Sequence, residues 1–174
     1  MSRALVIAFT VVSLAVIAVV GYAKWPRNAL PENTKVDRIV VLKSERKMQL
    51  FSGSTVVREY HVALGFQPVG AKEMEGDGKT PEGLYAIDYR NPKSQFHLSL
   101  HVSYPKPEQI SRAKKQGISP GGMIMIHGLR NGTGFFGRFH WLVDWTTGCV
   151  AVTNEEIEEI WRVVPDGTPI EIHA

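Results

Sequence analysis

Between Ala4 and Ala23 the chain reads ALVIAFTVVSLAVIAVVGYA, 20 residues without a charge. At ~1.5 Å of rise per residue a helix over this stretch reaches about 30 Å, the thickness of one bilayer hydrocarbon core. No polar face interrupts it, so the surface of a water-soluble domain cannot accommodate it, and it predicts a transmembrane helix. Cleavable signals generally carry a shorter apolar region of roughly 7 to 15 residues, which favours an uncleaved anchor, although the GYA ending at Ala23 leaves cleavage open. Charge orients the segment weakly, with Arg3 on one side and Lys24 and Arg27 on the other. KWPRNALPENT, from Lys24 to Thr34, then reads as a short polar tether. The expected organisation is a membrane anchor or signal segment over 1–23, a linker over 24–34 and one folded domain over 35–174.

Composition narrows the partners of that domain. The chain is 44% apolar and 21% charged, which is globular, and its 20 basic against 17 acidic residues leave a formal charge of only +3. No dense Lys/Arg block tracks a phosphate backbone, so nucleic acid is excluded as the expected partner. The mild basicity suits an anionic partner such as a membrane surface or an acidic polymer.

The folded part opens on β signals. RIVVLK (38–43), KMQLF (47–51) and TVVREYHVAL (55–64) are rich in β-branched and aromatic residues, and SGS (52–54) separates the last two, predicting an antiparallel meander. In the third run Val56, Arg58, Tyr60 and Val62 alternate with Val57, Glu59, His61 and Ala63; neither face is polar throughout, so a sheet covered on both sides is expected. EGDGKTPEG (75–83) is a loop feeding the strand LYAIDY (84–89), Met123 to Ile126 is a buried strand, and PIEIHA closes the chain as another. Two helices are expected. KPEQISRAKKQG (106–117) has a proline in its first turn and a glycine stop. TNEEIEEIWRVV (153–164) has a Thr153/Glu156 capping box and an apolar stripe of Ile157, Ile160, Trp161 and Val164, with Glu155, Glu156, Glu158 and Glu159 forming a solvated face. The whole is mainly β, a sandwich or barrel with short helices.

Cys149, in DWTTGCVAV, is the only cysteine. A free cysteine is most often a small buried hydrophobe. In an exported chain, however, thiols are usually paired, and here there is no second cysteine to pair with. Gly148 before it lets consecutive N–H groups converge beside the sulfur, as an oxyanion hole requires. A nucleophilic thiol also needs a base, because an ordinary one is mostly protonated at neutral pH. His127, delivered by the strand of GGMIMIHG, is the leading partner, and His140 in FFGRFHW is the alternative. A backbone carbonyl, that of Gly128, could hold the imidazole tautomer. An activated thiolate of this kind should be alkylated faster than a free thiol at pH 7.

HLSLH places His97 and His101 four apart, a metal-like spacing, but without the glutamate of an H-E-x-x-H helix or a third ligand. They are assigned instead to a substrate groove or to polar strand positions. His61 and His173 receive no role.

IHG at 126–128, TTGC at 146–149 and KTPEGLY at 79–85 together resemble the His-Gly, Ser/Thr-x-Gly-Cys and Thr-Pro-x-Gly-aromatic elements of the L,D-transpeptidase catalytic domain, also called the YkuD domain. The resemblance covers roughly residues 36–174. It implies a β-sandwich acting on peptidoglycan stem peptides at the periplasmic face of the bacterial inner membrane, or free in the periplasm if the leading segment is removed. By the family pattern Cys149 attacks the carbonyl of the third stem residue and expels the terminal D-Ala. His127 activates the thiol and protonates the leaving amine, and the Gly128 carbonyl orients His127. Backbone N–H groups around Thr147, Gly148 and Cys149 hold the oxyanion, with Thr146, Arg138, His97 and His101 assigned to substrate binding. The thioacyl group then passes to an amine, giving a 3-3 cross-link or an attached protein, or to water. No metal or organic cofactor is implied.

One departure stands out. The family commonly has Arg two residues after the cysteine, and this chain has Ala151 there. Arg138 or Arg130 could substitute. A branch with a similar GC-x-A pattern includes hydrolases that release peptide or a wall-bound lipoprotein, so transfer and hydrolysis both stay open. A sortase would carry T-L-x-T-C, papain-like peptidases place Cys before His, and a wall-binding module with an inert thiol would leave Cys149 unreactive.

Overall fold

The structure is a computed structural model in which residues 3–23 and 28–174 are described. Helix α1 (Arg3–Ala23) leads. It holds one apolar window long enough to cross a membrane, Leu5–Tyr22, with mean hydropathy 2.6 and no buried residue in it. Strands β1 (Arg38–Leu42), β2 (Lys47–Ser52) and β3 (Thr55–His61) form the expected meander. After them come β4 (Gly83–Ser94), β5 (His97–Val102), α2 (Pro107–Lys115), β6 (Met125–His127), a 3-10 segment (Gly134–Leu142), β7 (Val150–Ala151), α3 (Asn154–Val163) and β8 (Pro169–His173).

The strands lie in the order β3-β2-β1-β8-β4-β5-β6-β7. The β1–β8 and β6–β7 pairs are parallel and the others antiparallel. Strand β4 is twice the expected length and serves both layers: Gly83–Ala86 pair with β8, and from Ile87 onward the strand pairs with β5 through two register shifts. Such irregularities bend a strand sharply, which folds one sheet into two facing layers. The layers meet in a core that includes Ile39, Val41, Leu50, Tyr60, Leu100, Ile126 and Ile170.

Beyond β3 the chain turns back onto the far edge. Ala63 and Ala151 exchange both backbone hydrogen bonds, at 2.8 and 3.1 Å, and Gly65 bridges Thr146. The meander and β7, at opposite ends of the strand order, are thereby tied together.

Helix α3 covers the core side of β5 and β6 with Ile157, Ile160 and Val163. Its cap is the expected box: Thr153 Oγ1 accepts from the Glu156 N–H, and the Glu156 carboxylate accepts from the Thr153 N–H. The glutamate face needs correction. Glu156 is buried by that box, and Glu159 accepts from Tyr60 Oη at 2.7 Å, from the Leu30 N–H and from Arg58, so only Glu155 and Glu158 are exposed. The cause is position: Glu159 shares the side of α3 that meets β3, where Tyr60 is fully buried and needs an acceptor.

The expected tether also needs correction over its described half, because residues 24–27 lie outside the described residues. Asn28 and Leu30 offer their carbonyls to Arg58 and Arg162, which with the Leu30–Glu159 bond pins this stretch against α3 and β3.

The two adjacent glutamates provide a test. Glu159→Ala strips the buried Tyr60 hydroxyl of its acceptor and the half-buried Arg58 of its carboxylate, and should cost about 3 kcal/mol in urea unfolding. Glu158→Ala, which loses only an exposed contact to His97, should cost less than about 1 kcal/mol.

Candidate active site

The site is laid out by strand register. Leu100, Ile126 and Val150 are mutually in register and point into the core. Alternation therefore sends Ser99, His127 and Ala151 to the opposite face as one row across the sheet, and His101, Met125 and Cys149 as the next. His127 and Cys149 thus project from neighbouring strands on one face, two residues apart in register. That is about 5 Å across and about 7 Å along, which an imidazole and a thiol can bridge.

His127 is 3% exposed. Its Nδ1 lies 2.7 Å from the Gly128 carbonyl, which can only accept, so Nδ1 carries the proton and Nε2 is left with a lone pair. Burial holds the imidazole down to about 4, against the opposing pull of the Gly128 bond, so it is neutral at physiological pH. The Phe96 ring packs at 4.5 Å and the Trp145 ring meets it edge-on at 5.6 Å. Gly128 has no room for a side chain, since a Cβ would meet Asn154 Oδ1 at 2.9 Å and Ile157 at 3.0 Å. Its own N–H is shared by the Phe96 and Leu98 carbonyls.

The Cys149 thiol donates to the Met123 carbonyl at 3.6 Å and accepts from the Met125 N–H at 3.4 Å. Burial pushes its pKa up, with the Met125 N–H and the positive charge of Lys72 pulling the other way. The resting pair is therefore a protonated thiol beside a neutral imidazole, which corrects the expectation of a preformed thiolate. Such a pair can still do nucleophilic chemistry by general-base transfer during attack.

The TTGC turn is built differently from the expected donor cradle. Thr146 is buried; its hydroxyl donates to the Cys149 carbonyl at 2.8 Å and accepts from the Gly148 N–H at 3.1 Å. Thr146 is thus a clamp inside the turn rather than a substrate ligand, and the Gly148 donor is already engaged. The N–H groups of Thr147 and Cys149 have no protein acceptor among the described residues and face the choice of water or an oxyanion. Gly148 has φ +136, and a Cβ there would meet the Lys79 carbonyl at 2.6 Å. KTPEG thus packs directly on the turn. Thr80 Oγ1 accepts from the Gly65 N–H, and its carbonyl is held by buried Lys43, which also reaches Glu82 and the Gly70 carbonyl.

Other expected residues are dispersed. His101 is on the Cys149 row, paired with Asp88 at 2.6 Å and stacked on Tyr89 at 4.6 Å. His97 has φ 68, which breaks the strand alternation and turns its ring to Glu158 on α3, away from His101. Arg138 lies over the Tyr22 ring at 6.0 Å, beside α1, and Arg130 is exposed. His140 is buried without a hydrogen-bond partner for either ring nitrogen among the described residues. Sequence reasoning missed Phe96, Trp145 and the buried Lys72–Asp77 pair; only the aromatic density around His140 marked any of them.

The L,D-transpeptidase catalytic domain profile matches residues 36–172. The chain belongs to the L,D-transpeptidase catalytic domain family. YafK of Escherichia coli (strain K12), named as a candidate L,D-transpeptidase, is 25% identical over 133 residues, 72% of this chain and 46% of YafK. The chain thus spans about half the length of that relative. Among solved structures, Pgp2 of Campylobacter jejuni, a helical cell shape determining protein, superposes with a TM-score of 0.61 at 23% identity over 89% of this chain and 54% of Pgp2. Bd1075 of Bdellovibrio bacteriovorus does so with a TM-score of 0.55 at 26% identity, over 83% of this chain and 50% of that one. The L,D-transpeptidase fold is therefore the fold of this chain.

With its thiol pKa raised by burial, Cys149 should react with iodoacetamide at pH 7 more slowly than free cysteine. Its rate should still be climbing at pH 9, because thiolate accumulates only as pH approaches the raised pKa. A plateau near pH 7 would instead show a thiolate–imidazolium pair.

Proposed function

We propose that this L,D-transpeptidase-family domain forms a thioacyl enzyme on peptidoglycan stem tetrapeptides and passes the acyl group to an amine. The observation that carries this is the neutral His127, locked by the Gly128 carbonyl as the tautomer with a bare Nε2, on the strand next to Cys149. Nε2 takes the thiol proton as Sγ bonds to the carbonyl carbon of the third stem residue. The N–H groups of Cys149 and Thr147 receive the developing oxyanion. His127 then returns the proton to the leaving amine as the C–N bond breaks and D-Ala departs. In the second half the same nitrogen deprotonates the incoming amine, and the thiol is restored. Water in place of that amine would release tripeptide.

The test uses the full chain in detergent with disaccharide-tetrapeptide, read by mass spectrometry. D-Ala release with cross-linked dimer is expected; tripeptide alone would assign water as acceptor, and no change in substrate would overturn the reading. Cys149→Ala should abolish turnover, and His127→Ala should reduce it about 10²–10⁴-fold. Because His127 must be neutral to accept a proton, kcat/KM should hold above pH 5 and fall as pH drops through about 4.

The placement proposed is at the outer face of the inner membrane, with α1 retained. Tyr22 near the end of α1 packs on Phe139 at 5.9 Å, and the same 3-10 segment exposes Phe135, Phe136 and Leu142, apolar side chains suited to a bilayer interface. The expressed chain should stay in the membrane pellet through alkaline carbonate washing. Recovery as a soluble form shortened at its N-terminus would show cleavage.

A further inference from the structure

Ala151 stands where the family commonly carries arginine, and it is fully buried. Ala151 lies in register with His127 on the catalytic face, exchanges both backbone hydrogen bonds with Ala63, and is 0% exposed. The segment that ends in Asp144, Trp145 and Thr146 is tied to the turn that follows Ala63 by the Leu64 N–H to Asp144 Oδ1 bond and by the pairing of Thr146 with Leu64 and Phe66. His140 belongs to that segment. It is 8% exposed, and the neighbouring Trp141 ring packs against it at 6.0 Å and against His61, two residues before Ala63, at 5.0 Å. Among the described residues neither Nδ1 nor Nε2 has a partner, and the Trp145 indole N–H, on the ring that meets His127 edge-on, is also buried and unpartnered. Buried polar atoms are paired in the great majority of cases, so orphaned nitrogens grouped around one imidazole call for a polar occupant.

The reaction says which part of a substrate arrives there. His127 must reach the leaving amine to protonate it. When the leaving residue is a terminal amino acid, its carboxylate carbon is two bonds from that amine, so the carboxylate falls among the immediate neighbours of His127. We propose that His140, with the Trp145 indole N–H, binds the terminal carboxylate of the leaving residue and replaces the missing arginine as the anion-recognising group. This rests on the thioacyl reading above and deepens it. An unpartnered imidazole offers one N–H to a carboxylate oxygen at once, and the approaching anion favours protonation of the other nitrogen. The segment that covers the site then selects substrates with a free carboxyl end. A wall-linked protein, whose leaving residue carries more chain in place of a free carboxylate, is disfavoured as a substrate.

Binding separates this from turnover. In the full chain carrying Cys149→Ala, calorimetry compares a stem tetrapeptide ending in D-Ala with its terminal carboxamide. The free acid should bind about tenfold tighter or more. Adding His140→Phe, which keeps a buried ring, should remove that preference while leaving the carboxamide affinity unchanged, and His140→Gln, which keeps a donor, should restore part of it. Equal affinities for the two peptides, or a preference that survives His140→Phe, would overturn the proposal. Absence of D-Ala release by the unmodified chain overturns the thioacyl reading instead, and it is read in a separate assay.

Discussion

The two hydrogen bonds between Ala63 and Ala151 are the constraint on which the site depends. Strand β7 is only two residues long and could not hold a register alone. Clamped between β6 on one side and Ala63 on the other, it has no slack, and Cys149 immediately before it is fixed against Met125 on the face that carries His127. A one-residue slip would turn Cys149 into the core. The same clamp leaves Ala151, two residues after the thiol, completely buried.

Burial then decides the charge state. In water an imidazole and a thiol titrate close to neutrality, but here desolvation moves them in opposite directions, down for His127 and up for Cys149. Both neutral forms are favoured, and no ion pair has to be sustained inside the site. The Gly128 carbonyl contributes direction rather than charge, fixing which nitrogen is bare.

The surroundings are held by polar groups that the fold buries and satisfies. Lys43 donates to Gly70, Thr80 and Glu82, Thr80 receives Gly65, and Asp144 receives Leu64 while pairing with Arg46. These bonds join the KTPEG loop, the turn after β3 and the segment before TTGC into one frame. His140 and Trp145 are the exceptions in that frame: among the described residues their ring nitrogens are buried without partners, and the Trp145 ring meets His127 edge-on.

Local pattern carried much of this. The meander, both helices, the Thr153/Glu156 box and the strand that delivers His127 follow from β-branched runs, capping chemistry and a periodicity readable within ten residues, and the three ordered motifs point to the family. What failed to be legible depends on packing between distant segments. The solvated glutamate face broke at Glu159, because helical spacing cannot reveal that Tyr60 and Arg58 of β3 lie opposite. The paired histidines of HLSLH parted, because a positive φ at His97 is invisible in composition. The 3-10 segment escaped detection, because three-residue periodicity over so short a run resembles a loop. The sequence by itself marked a candidate nucleophile, a candidate base and the apolar helix, since each is a property of residues close together in the chain. Only the tertiary structure decided that burial raises the thiol pKa, that Thr146 is a clamp and that His140 is buried with bare ring nitrogens, because desolvation and register come into being when the ends of the sheet meet.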